Sequence, residues 1–116
     1  MIKLIDLLPN YSITQTINHM KFMLTWRLHP DKRHAALKGF SQMDASADKA
    51  DMGASIKLIG RWHDVGKSTG VAIFEANDAL AMANWALNWN SVLDITDLAP
   101  VLDDDEARAL GRKRFS

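Results

Sequence analysis

The order in which apolar spacing changes along this chain constrains its fold more than any other feature. From Met20 onward the periods run strand, helix, strand, tight turn, strand, helix, strand. Residues 21–29 alternate, with Phe22, Leu24, Trp26 and Leu28 on one side and Lys21, Met23, Thr25 and Arg27 on the other, the pattern of a strand with one buried face. Pro30 and Asp31 then suit the first turn of a helix. Ala36, Leu37, Phe40, Met43 and Ala47 recur at three- and four-residue spacing and predict one amphipathic helix, weakened at Gly39 and closed by Gly53. Residues 55–65 read as a second strand, with Ile56, Leu58, Gly60 and Trp62 on one face and Lys57, Ile59, Arg61 and His63 on the other. A polar, glycine-flanked turn over 64–70 leads into a third strand at 71–74. Asn77 or Asp78 caps a second helix over 79–89. The last strand, 92–102, is interrupted by Asp94 and Asp97 and contains Pro100, which belongs on a sheet edge because it has no N–H to donate. From about residue 103 acids come first and bases last, a polarity that complements the dipole of a short C-terminal helix.

Strand–helix–strand crossovers are right-handed, so two interleaved units of this kind give an α+β, ferredoxin-like βαββαβ fold. It has a four-stranded antiparallel sheet with two helices on one face. The other face would carry Met23, Ile59 and either Ile73 or Phe74, together with Thr25, Arg27 and Arg61. Such a face is too apolar to stay wet, and a second subunit packed sheet to sheet covers it. At 116 residues and 47% hydrophobic side chains, the chain is long enough for one domain with a real core. That domain is expected over 20–116, with residues 1–19 as an N-terminal extension: Asp6 and Pro9 interrupt its apolar start, unlike a secretory signal.

Fourteen basic and fourteen acidic side chains cancel, so the basic footprint of a nucleic-acid binder is missing. No apolar run approaches the ~20 residues of a membrane-spanning helix. The absence of cysteine excludes disulfides, thiolate catalysis and cysteine-ligated metals, and suits a cytoplasmic protein.

The segment from Gly60 through Gly66-Lys67-Ser68 invites a phosphate-loop reading, but five residues separate its glycines instead of the required four, and a strand follows where a helix must open. The four histidines, His19, His29, His34 and His63, lack the helical pair flanking a carboxylate that marks a zinc hydrolase. His29 and His63 end parallel strands and would need Asp64 or Asp94 to hold a metal; no metal or cofactor is expected. The topology gathers Arg27, Arg61, Trp62, His63, Trp85, Trp89, Asn90 and Asp94 at one end of the sheet. Aromatic walls with a few polar groups make a small-ligand pocket, and the two arginines would favour a carboxylate or phenolate. The plainer alternative is that Trp85 and Trp89 simply pack over the sheet.

Four segments, MKFMLTW (20–26), IGRWHD (59–64), ANWALNW (83–89) and APVL (99–102), resemble small bacterial domains of unknown function in the dimeric α+β barrel superfamily. The resemblance spans roughly 20–105. It implies a homodimer and is nearly silent on activity; the residues themselves point to a cytosolic protein that binds a small anionic or aromatic ligand or acts structurally. Relatives in that superfamily include cofactor-free monooxygenases, haem-handling enzymes and stress-responsive proteins. The enzymatic alternative is therefore a cofactor-independent oxygenase or isomerase, with Trp62 and His63 orienting substrate and Arg27 or Arg61 holding an oxyanion.

Overall fold

The structure, a computed structural model, describes residues 20–116, so the extension over 1–19 lies outside the described residues. The strands are β1 (Met20–Leu28), β2 (Ile56–Asp64), β3 (Thr69–Ala76) and β4 (Leu93–Val101). The helices are α1 (Arg33–Ser41), α2 (Ala45–Met52), α3 (Ala79–Leu87) and α4 (Asp104–Phe115). The sheet runs β2-β3-β1-β4 with every neighbouring pair antiparallel, which is consistent with a ferredoxin-like arrangement. Pro100 lies on β4, an edge strand, where a residue without an N–H is tolerated.

Residues directly opposite across an antiparallel pair share a face. One face is built from rows such as Leu58–Phe74–Phe22–Pro100 and Arg61–Ala72–Leu24–Leu98. Phe22, Leu24, Trp26, Ile56, Ala72, Phe74 and Ala76 are buried there beneath Met82 of α3. Phe74 and Met82 are fully enclosed, and burying a side chain of that size stabilises by about 1.5–3 kcal/mol. The open face carries Trp62–Val71–Thr25–Asp97 and Gly60–Ile73–Met23–Ala99, so of the third-strand pair it is Ile73 that faces outward.

Three readings of the sequence are corrected. First, β2 carries an irregularity between Leu58 and Gly60 that inserts Ile59 out of register. A single extra residue inverts the alternation beyond it, since side chains in a strand repeat every two residues. Ile56 and Leu58 therefore share the helix-covered face with Arg61 and His63, whereas Gly60 and Trp62 point to the open face. Second, the register of β4 shifts around Thr96, which places both Asp94 and Asp97 outward while Leu93, Ile95 and Leu98 pack on the core. Acids three residues apart cannot share a face in a regular strand; the bulge removes the conflict. Third, the first crossover is two helices. Asp44 breaks the periodic run by accepting a hydrogen bond from the Ala47 N–H at 2.8 Å, so it caps α2.

The remaining ends follow their signals. Asp78 caps α3 by accepting from the Ala81 N–H at 2.9 Å, and α3 stops at Leu87, short of Trp89. In the β2–β3 turn the Asp64 carboxylate accepts from the Lys67 N–H at 3.2 Å, and Ser68 takes a left-handed φ of 57°. Asp103 and Glu106 form a reciprocal capping box at the start of α4. The Lys21 ammonium lies 3.2 Å from both of those carboxylates and ties α4 to β1. Among the described residues no helix is long and apolar enough to cross a membrane.

Candidate functional site

Between the helix-covered face and the helices lies a cavity of about 100 Å³. Its floor is Leu24, Trp26, Ala72 and Phe74 from the central strands. Leu37 and Phe40 of α1 close one side, and Trp85 and Trp89 close another. The polar lining is Asp48, Arg61 and His63. Room for these groups comes from small residues opposite them: Arg61 faces Ala72 across the sheet, and His63 faces Gly70. The indole of Trp26 lies over Gly70 so closely that a Cβ there would stand 2.0 Å from the ring. Glycine at 70 is thus what lets Trp26 lie flat as part of the floor.

The polar groups form an ordered stack. Arg61 Nη2 donates to Asp48 Oδ2 at 2.7 Å, and the guanidinium carbon sits 4.6 Å from the centre of the Phe40 ring. His63 lies on Phe40 with ring centres 4.7 Å apart and meets Trp26 edge-on at 5.4 Å. Desolvation against these rings, and then the neighbouring Arg61 charge, hold the His63 pKa below its ordinary value. That shift favours the neutral imidazole. Behind the aromatic wall, Asp51 Oδ2 accepts from Trp85 Nε1 at 2.9 Å and from Trp89 Nε1 at 3.2 Å. This one carboxylate satisfies both indole donors and links α2 to α3 and the segment that follows it.

The structure brings together Arg61, His63, Trp85 and Trp89, four of the residues expected at one end of the sheet. The other four, Arg27, Trp62, Asn90 and Asp94, are not part of its lining. Trp62 is on the open face and 59% exposed. Arg27 and Asp94 are opposite each other on the open face, and Asp94 is hydrogen-bonded at 3.1 Å to His29. His29 and His63 thus have different partners, and among the described residues no group of three or more His, Cys, Asp or Glu is placed to hold a metal ion. Sequence reasoning missed Trp26, Phe40, Asp48 and Asp51. The available signal was the need of two half-buried indoles for acceptors, with Asp48 and Asp51 on one side of a helix to supply polar partners.

The family model described as a domain of unknown function (DUF3303) matches residues 20–115. The chain belongs to that family. The match takes in every strand and helix described above and therefore the whole cavity lining. No curated protein and no solved structure matches the chain.

Proposed function

We propose that the protein binds a small aromatic molecule, on the scale of a single ring, in the cavity between sheet and helices. The observation that carries this reading is the cavity itself: about 100 Å³, walled by Trp26, Phe40, Phe74, Trp85 and Trp89, with Arg61 and His63 as orienting polar groups. An engineered apolar cavity of about 150 Å³ admits benzene; the smaller space here holds at most a single ring, with any substituent reaching its opening toward solvent. Titration calorimetry with benzamide and related aromatics should show saturable one-to-one binding with a negative heat-capacity change, the mark of apolar burial. No heat across such a panel would overturn the reading in favour of a purely structural role. A cofactor-independent oxygenase or isomerase is the second reading, favoured by His63, whose neutral imidazole at the cavity offers an acceptor for a substrate proton.

The same reading takes the protein to be a cytosolic homodimer that pairs through the open sheet face. Met23, Val71 and Ile73 are partly covered there, and the large side chains of Ile59 and Trp62 are 48% and 59% exposed. A stable dimer buries on the order of 1,600 Å² in total. Light scattering at micromolar concentration should give twice the 13.0 kDa of one chain, and Trp62→Lys should return it to monomer. A monomeric native protein would remove the dimer.

A further inference from the structure

We infer that Asp48 sets the charge of the ligand, so that the cavity selects a neutral aromatic molecule carrying a hydrogen-bonding group over an anion or a cation. The inference rests on the ligand-binding reading above. Arg61 is the cation of the cavity lining, and it is already matched: its Nη2 donates to Asp48 Oδ2 at 2.7 Å, with the two side chains only 17% and 21% exposed. Phe40 covers the guanidinium from one side.

A carboxylate entering this space must leave water, yet it finds a guanidinium whose charge is spent and a second carboxylate beside it. Asp51, behind Trp85 and Trp89, adds further negative potential. A cationic ligand meets the mirror problem, because Asp48 is paired with Arg61. A neutral amide, phenol or heterocycle escapes both costs. It can accept from a guanidinium N–H that Asp48 does not use, or donate to a free lone pair of Asp48, without displacing either. The ion pair thus reads the charge of the occupant, and Asp48 is the half that rejects anions.

Benzoate, benzamide and benzamidinium share one shape and differ in charge, so they separate charge from fit. With the native protein at pH 7.5, calorimetry should rank benzamide tighter than either ion by about tenfold, the gap between a satisfied neutral contact and an unmatched charge. Asp48→Asn keeps the shape of the side chain and an acceptor for Arg61 but frees the cation, so benzoate should gain about tenfold relative to benzamide. Arg61→Met frees the carboxylate instead, and benzamidinium should gain. A native protein that prefers benzoate, or an unchanged ranking in folded Asp48→Asn, would overturn the inference and leave the binding reading intact. Should one variant fail to fold, the native ranking and the other variant still decide. If none of the three probes binds the native protein or either variant, the binding reading itself falls and takes this inference with it.

Discussion

Gly70 and His63 face each other across β2 and β3, and each makes a local demand on Trp26. Adding a methyl group at position 70 would drive it into the indole, so Gly70→Ala should tilt Trp26 off the floor. Overpacking of this kind costs about 1–3 kcal/mol, which urea unfolding would read as a lower midpoint at unchanged slope. His63 makes a different prediction. Its folded-state pKa is depressed, first by desolvation and then by Arg61, below the ordinary value of 6.5 that the unfolded chain retains. Where pH lies between the two values the unfolded chain binds more protons, so stability is full above about 6.5 and declines as the pH falls below it. Thermal melts across that range should show the decline in the native protein and a smaller one in His63→Gln. An identical pH dependence in both would mean that His63 contributes nothing to it. At this scale the sequence was partly readable. Trp26 and Leu24 sit where alternation in β1 puts them, whereas Arg61, His63 and Trp62 lie on the faces opposite to those that regular alternation assigns. The cause is one out-of-register residue, Ile59, and nothing in its identity announces a bulge.

Helices α1 and α2 meet the sheet through polar links as well as apolar contact. No residue of either is fully buried; Met52 of α2 packs against the core, and Arg61 to Asp48, Asp51 to Trp85 and Trp89, and the Phe40 stack also reach them. Asp51→Ala would leave both indole donors without their acceptor inside a half-buried wall. A loss of about 1–3 kcal/mol is expected, together with a red shift of tryptophan emission as the wall loosens. Stability and emission unchanged in that variant would mean that water replaces the carboxylate at no cost. The elements themselves were legible wherever a cap, a charge polarity or a clean period marks them: Asp78 before α3, the acids-first, bases-last order of α4, the alternation of β1. The break between α1 and α2 was not, because Phe40, Met43 and Ala47 keep helical spacing across it. Asp44, able to cap a new helix, competes with that spacing and wins.

For the molecule as a whole, the order of periods led to the antiparallel β2-β3-β1-β4 sheet with helices over one face, and the domain family matches the same span. The candidate site was legible as a location and not as a residue set. Topology alone gathers Arg61, His63, Trp85 and Trp89, but their partners Asp48 and Asp51 come from a helix whose composition reads as solvated surface. The charge character of the cavity therefore depends on tertiary placement that spacing does not encode. The central claim, that a ligand enters between sheet and helices, is tested most directly by following the four indole N–H resonances in nitrogen-15 spectra during a benzamide titration. Signals from Trp26, Trp85 and Trp89 should shift together and saturate, while that of Trp62, on the opposite face, stays still. A shift confined to Trp62, or none at all, would contradict the account.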